Sequence, residues 1–498
     1  MDRIWNTLKP KKVLWINFSV LFAVYAICIF SHHASPDYYC SMMYGNADIN
    51  LQNGRFLNWF LYYTADLLGI EMEKNSVFSQ FVWTVSCAVS SYWVYSAFIK
   101  EVEDTSINRL MIQLASLIMF INISLWEGWY SFPETVLFAT VNLLACYGAV
   151  ALFAKGYRER RIGLIALSYL LATVAIYGYQ VYVEHYIILT AVYLLCHHRC
   201  RMDKRGIGYT LEVVGVSAWI SLSTILTMSL LVRMGITRQV DRAATFGLQQ
   251  IIENLKTLWS MQHRIWSSFL GYMPAYAMPV LGVLLLAVIV VVLTKIGVLQ
   301  ALWTGTVLLG CYVSVFLPHI VTSNIWCAPR TIVGLFCFAG GLLCLAACMI
   351  THDRVKWVMS CVAMLFLVVS AVQIQIISVN NIISTRIDQI QIREIQREVE
   401  AYELESGVQI TTFAVGDDGS KNWSNETVEY CLYDTNLRIL SVYYSDIVAI
   451  NYYTGRNYTK RQMTEEEYHE YFDGRTYDHF DVDDQLRFDG DTAFLLSY

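Results

Sequence analysis

A polytopic α-helical membrane protein with a small acidic C-terminal α/β domain is the fold this sequence predicts, on three observations. The 498 residues are 56% hydrophobic and 15% charged, and mean hydropathy is +0.42, a composition that would leave aggregating patches on a soluble protein. Apolar runs near bilayer length recur through residues 13–377, about 11 of them at the roughly 20 residues a span needs. Basic residues gather in alternate connections, while residues 379–498 carry about 23 of the 41 acids and about 10 of the 35 basic residues. That leaves this last segment near −13 and the rest near +7.

The first run, Val13–Ser31, follows Arg3, Lys9, Lys11 and Lys12, so its start is expected in the cytoplasm. No small-residue cleavage site follows, and it reads as a retained anchor. The further runs are Ser76–Ile99, Leu110–Leu125, Thr135–Ala154, Ile162–Gly178, Val181–Leu195, Ile207–Val232, Met278–Thr294, Val298–Phe316, Ile332–Ile350 and Trp357–Ile377. Basic loops at Lys155–Arg161, Arg199–Arg205 and Arg354–Lys356 all fall on the cytoplasmic side of this plan, and the C-terminal domain on the far side. Seven prolines suit a helical bundle. Of thirteen cysteines, most lie inside spans as small hydrophobes. Only Cys40, Cys327 and Cys431 read as external. Cys196-His197-His198-Arg199-Cys200 reads as a basic helix flank before it reads as a zinc site.

Residues 1–378 thus form a membrane domain with external loops at 32–75, 126–134, 233–277 and 317–330, and 379–498 an exported domain. In the latter, Ser378–Leu404 has isoleucines at helical spacing. Gln409–Val415, Ile439–Tyr444, Ile447–Tyr453 and Ala493–Tyr498 read as strands, and Thr464–Phe472 as a capped helix. Nothing resembles a P-loop or dinucleotide fingerprint, and nothing calls for nucleic acid as a partner.

Candidate chemistry lies in the external loops. Asp37 follows the first span in HHASPD, where a carboxylate at the lipid–water boundary is either a base or a solvated helix cap. Asp48 and Asp66 are weaker candidates in the same loop, whose segment FLNWFLYYTADLLG reads as an interfacial helix. Basic residues on the exported side are Arg55, Lys74, Arg233, Arg238, Arg242, Lys256, Arg264 and Arg330. Arg55 and Arg330 stand out, each at the entry of a helix in GRF and APR contexts, where a guanidinium can hold a phosphate. Arg238 and Arg242, beside Asp241, precede a second interfacial segment, Phe246–Trp259, and either receive a lipid-linked phosphate or form a solvated turn. In the second loop, Trp126–Glu134, Glu134 has the excuse of a helix start and Glu127 has less. Tyr179-Gln180 can hydrogen-bond sugar hydroxyls, and Glu184 and His185 follow it.

Taken together, Asp37, Gly54-Arg55, Ser131-Phe132-Pro133-Glu134, Tyr179-Gln180 and Pro329-Arg330 resemble the Gtr-type II glucosyltransferases, bacterial membrane enzymes of the GT-C class. The resemblance runs over most of residues 10–378 as an order of loops and spans. That family often carries paired acids in the first loop, whereas Tyr38 follows Asp37 here, so Glu127 and Asp48 are the candidates for a second acid. The resemblance implies a GT-C-like fold in a bacterial cytoplasmic membrane. It implies transfer of one sugar, glucose by analogy, from a polyprenyl-phosphate donor to an envelope polysaccharide, with inversion. Asp37 would be the base, Arg55, Arg238, Arg242 and Arg330 the phosphate ligands, and Asp48, Glu134, Tyr179 and Gln180 the sugar contacts. A donor synthase and a flippase would be pathway partners. No compact ligand set points to a metal, and a divalent-metal requirement stays open. The competing readings are a transporter or flippase of lipid-linked sugars and a polysaccharide polymerase or ligase.

Overall fold

The structure, a computed structural model, describes residues 10–70, 75–201, 203–238, 247–266, 276–322, 325, 327–416, 438–473 and 480–496. Arg3, Lys9, Lys74, Asp241, Arg242 and Cys431, and the side chain of Arg264, lie outside the described residues.

Helices dominate. In order they are α1 Pro10–Phe30, α2 Tyr38–Tyr44, α3 Ala47–Gln52, α4 Phe56–Leu67, α5 Ser76–Phe98, α6 Ser106–Ile118, α7 Val136–Glu159, α8 Ile162–Gly178 and α9 Tyr182–His197. They continue as α10 Lys204–Arg233, α11 Leu248–Ile265, α12 Ala277–Lys295, α13 Val298–Ser314, α14 Gly334–Met349 and α15 Asp353–Ser406. Among the described residues seven helices are long and apolar enough to cross a membrane: α1, α5, α6 with its continuation to Tyr130, α7, α10, α12 and α15. The other expected spans form shorter helices of 16–17 residues, α8, α9, α13 and α14.

The bundle packs through small residues, as helices without a hydrophobic drive between them require. A Cβ at Gly178 of α8 would overlap the Asn142 side chain of α7, and one at Gly156 would meet Leu164 Cβ at 2.9 Å. Chain direction alternates. At one end Glu101 beyond α5 takes a bond from Tyr193 at 2.9 Å and sits 3.0 Å from His197 Nδ1 of α9, with Arg158 of α7 3.6 Å away. Lys356 Nζ at the start of α15 reaches Asn108 near the start of α6 at 2.6 Å. The loops at 32–75, 126–134 and 317–330 and the turn at Tyr179 therefore share the opposite end.

α15 is one helix of 54 residues, about 80 Å long at 1.5 Å per residue, far more than a bilayer core needs. Its second half is the spine of the C-terminal domain: Asp388, Ile392, Ile395 and Val399 are buried at helical intervals. The domain's sheet has order β2-β1-β4-β3, from β1 Thr412–Gly416, β2 Thr459–Gln462, β3 Leu486–Asp489 and β4 Thr492–Leu496. β1 is parallel to β2 and β4, and β3 is antiparallel to β4.

Two sequence expectations fail here. Ile447–Tyr453 is not a strand but part of helix α16, Asp446–Thr454. Its β-branched and aromatic content is overridden by tertiary packing, and Gly455 in the left-handed region ends it (φ 66°). Ile439–Tyr444 holds only a 3-10 turn at Ile439–Ser441, pinned by a buried ion pair of Arg438 Nε with Asp388 at 2.7 Å. Strands β2 and β3, rich in charged and polar residues, escape a reading based on apolar alternation. The capped helix is present as α17, Glu465–Phe472, with a capping box between Thr464 and Glu467.

Arg461 donates to both Glu467 carboxylate oxygens, at 2.7 and 2.6 Å, and this pairing, with the cap, holds the Glu467 carboxyl down to about 2. A depressed carboxylate pKa contributes stability that is present above its ordinary value and lost as pH falls toward the folded one. The exchange protection of residues 459–472, taken relative to the intrinsic rate at each pH, should therefore fall between pH about 4.5 and about 2, and Glu467→Gln should flatten that dependence. An identical profile in the variant would remove Glu467 as the cause.

Candidate functional site

The first loop leaves α1 and is immediately tied to the second. The His33 ring nitrogens lie 2.9 Å from Ser31 O and 2.6 Å from Tyr130 O, and Gln80 Nε2 of α5 donates to the same Tyr130 carbonyl at 3.1 Å. Burial pushes the His33 pKa down. Two residues on, Ser35 Oγ donates to Glu134 Oε1 at 2.7 Å, and Tyr62 of α4 donates to Glu134 O at 3.1 Å. Glu134 is buried and precedes the N-cap of α7, Thr135. Asp37 is then the exposed N-cap residue of α2, and its side chain does not cap the helix.

Cys40, one turn into α2, reports what surrounds that site. Burial pushes its thiol up to about 11, and Asp37, Asp446 and Glu134 add to the effect in that order. Carboxylates of three segments, Asp37, Asp446 and Glu134, thus lie within electrostatic reach of Cys40. Of the second acids weighed from sequence, Asp48 is exposed in the first turn of α3, whereas Glu134, assigned only to sugar contact, is the carboxylate brought toward Asp37.

Glu127 does something else. Residues Trp126–Tyr130, expected as open loop, form a buried π-helical turn. The Glu127 side chain is 0% exposed, and it pairs through Oε1 with Arg330 Nη1. Its Oε2 accepts the Arg330 backbone N–H at 2.8 Å. The adjacent glycine is what lets the two turns meet, because a Cβ at Gly128 would lie 2.8 Å from Arg330 Cβ. The guanidinium also lies over the Phe132 ring, 4.7 Å from its centroid. The sequence signal for this clamp was Glu127-Gly128 together with Pro329-Arg330.

A second junction joins the first loop to the third turn. Arg55, at the N-cap of α4, lies 4.6 Å over the Tyr179 ring, and Gln180 Nε2 donates to Gly54 O at 2.9 Å and Asn53 O at 3.2 Å. Gly54 adopts φ 68°, a conformation glycine takes without strain. Trp129 bridges the two junctions, 6.1 Å from Tyr179 and 6.3 Å from Tyr182 between ring centroids, and stacks on Trp83. Its part was not read from the sequence. Arg238 is peripheral: exposed, with Nε 3.4 Å from Gln52 Oε1.

Below the Arg330 turn, Glu184 of α9 is fully buried and its Oε2 accepts from Gly334 N–H at 3.2 Å, a carboxylate at the start of α14 where the helix dipole favours it. His185 Nδ1 lies 3.1 Å from Tyr147 OH. A Cβ at Gly334 would drive into Glu184. Gly334→Ala should therefore displace the Arg330 turn and cost about 1–3 kcal/mol as an overpacked site; thermal unfolding unchanged from wild type would refute this contact.

Cys327, expected to be external, is buried, and the described cysteines are free thiols. Among the described residues no group of three or more His, Cys, Asp or Glu is placed to hold a metal ion. Comparison with protein-family models, with curated proteins and with solved structures finds no match.

Proposed function

We propose that this chain is a membrane glycosyltransferase of GT-C type with about 11 spans that moves one sugar, glucose in the reading favoured here, from a polyprenyl-phosphate donor to an envelope polysaccharide on the exported face of a bacterial cytoplasmic membrane. The observation that carries this reading is the convergence of four separate connections at one end of the bundle. Asp37 and Arg55 lie in one of these connections and Arg330 in another, and the two arginines are held by Tyr179 and Glu127.

In this mechanism Asp37 removes the acceptor hydroxyl proton as the oxygen attacks the anomeric carbon. The bond from that carbon to the phosphate oxygen breaks with inversion, and the polyprenyl phosphate leaves with the electron pair. Arg55 and Arg330 stabilise the developing phosphate charge, each already oriented by its partner so that little ordering is left for the reaction. Glu127 acts through Arg330 as a positioning residue. Glu134, Tyr179 and Gln180 shape the rim. An apolar cleft of about 490 Å³ between α12, α14 and α15, lined by residues such as Leu284, Leu343, Met359 and Phe366, suits an isoprenoid chain. Because the donor sugar arrives on lipid, no nucleotide-binding unit is needed.

The buried Glu184 and His185 favour the second reading, a transporter or flippase, since ionisable groups inside a bundle mark transport pathways. One experiment separates the two: envelope-glycan composition in cells with and without the gene, together with sugar transfer by the purified protein from polyprenyl-phosphate glucose. Transfer in vitro and loss of one side-chain sugar in the deletion support the transferase. A glycan change without transfer points to transport.

A further inference from the structure

The C-terminal domain is built onto the segment that carries Asp37. Ala34, Tyr38 and Tyr39 belong to the same apolar core as Ile392, Ile395, Phe413, Ile447 and Ile450. Tyr39 OH lies 2.6 Å from Tyr453 OH, and the Tyr39 ring is 5.2 Å from that of Tyr452. Cys40 Sγ contacts Tyr444 O at 3.2 Å. The core of the bundle ends at Ile377, and the separate core of the C-terminal domain takes in the start of the first loop.

This docking brings the Tyr443–Ser445 loop, with its exposed tyrosines, onto α2 one turn after Asp37. Asp37, Cys40 and Tyr44 stand at helical intervals along one side of α2, and Cys40 is the residue that touches the Tyr443–Ser445 loop. Tyr443 is 80% exposed and Tyr44 73%. The Tyr443 and Tyr444 rings meet edge to face, 5.3 Å between centroids. Beneath them the loop is held by Lys460, which bonds Tyr443 O and pairs with Asp446 at 2.5 Å. Rigidly backed aromatic rings exposed to water present negative π faces. The C–H faces of pyranose rings are the complementary surface, and the hydroxyls can stay hydrated at the edge. The surrounding charge narrows the class further: a domain near −13, beside the exposed Asp37, repels an anionic polymer.

We propose that Tyr443 and Tyr444, with Tyr44 on the side of α2 that carries Asp37 and Cys40, form an acceptor subsite that stacks an uncharged polysaccharide near the start of α2. The subsite rests on the transferase reading and gives the C-terminal domain its place in it.

The test uses the full chain in nanodiscs and, as probe, polysaccharide extracted from envelopes of cells lacking the gene. The double variant Tyr443→Ala/Tyr444→Ala should bind this polymer about tenfold more weakly and raise its KM without changing the KM for the donor. Tyr443→Phe/Tyr444→Phe should bind nearly as wild type, and Asp37→Asn should bind normally. Equal polymer affinity in the double alanine variant overturns the subsite. So does a result in which the alanine pair alters only quenching of the protein by a lipid-phase quencher, because the tyrosines are then an interfacial anchor. If the wild type transfers sugar while the alanine pair leaves polymer binding intact, the subsite alone fails. If the wild type neither binds polymer nor transfers sugar, the transferase reading fails and the subsite with it.

Discussion

Removing either partner of the Glu127–Arg330 pair should destabilise the protein by about 3–5 kcal/mol, because each single change strands a charge that the fold has taken out of water. The Glu127 side chain is 0% exposed and that of Arg330 13%. Arg330→Ala would take the guanidinium from Glu127 Oε1 while the backbone N–H of residue 330 still bonds Oε2, and Glu127→Ala would take the carboxylate partner from the guanidinium. Arg330→Lys should also fail, since an ammonium lacks the planar fork that bonds the carboxylate while resting on Phe132. The apolar double variant Glu127→Leu/Arg330→Met separates structure from function. It should recover most of the lost stability and none of the sugar transfer, because the guanidinium meant for the phosphate is gone. Thermal unfolding in nanodiscs and a transfer assay on the same preparations decide the point. Full activity in the double variant would remove Arg330 from the mechanism.

Asp37→Asn should behave in the opposite way, with transfer falling about 10²–10⁴-fold, the usual worth of a positioned general base, and stability nearly unchanged. Asp37 is exposed at the N-cap of α2, where asparagine serves as well as aspartate, so the change removes basicity and little else. Cells carrying the variant at wild-type membrane levels should lack the same side-chain sugar as the deletion. A normal glycan in those cells would return the catalytic role to another carboxylate, Glu134 first, since it shares the surroundings of Cys40 with Asp37.

The helical elements near this site were legible because their signals are local. Helix α4 follows Gly54-Arg55 as the aromatic segment predicted, α11 follows the apolar spacing in the long loop, and α17 starts at its threonine cap. Strand β2 was not legible: TKRQ has no buried face of its own and is held by parallel pairing with β1. Helix α16 was misread for the same kind of reason, because its β-branched residues favour a strand until the packing against α2 and α15 is known.

At the candidate site the division is similar. The candidate residues could be named along the chain, since the loops in which carboxylates and arginines lie between apolar spans are legible locally. Their partners could not. Glu127 and Arg330 are separated by 203 residues, Tyr179 and Gln180 meet Gly54-Arg55 from a different hairpin, and Asp446 reaches the surroundings of Asp37 from the C-terminal domain.

Hydropathy and charge are sums over neighbouring residues, so the sequence by itself determined a helical membrane protein, an acidic terminal segment and the connections that hold the candidate residues. Pairing energy depends on which side chains are buried together, and burial is a property of the folded whole. Only the tertiary structure decided that Glu127 clamps Arg330, that Glu134 lies toward Asp37, and that the C-terminal domain packs onto the helix that Asp37 begins.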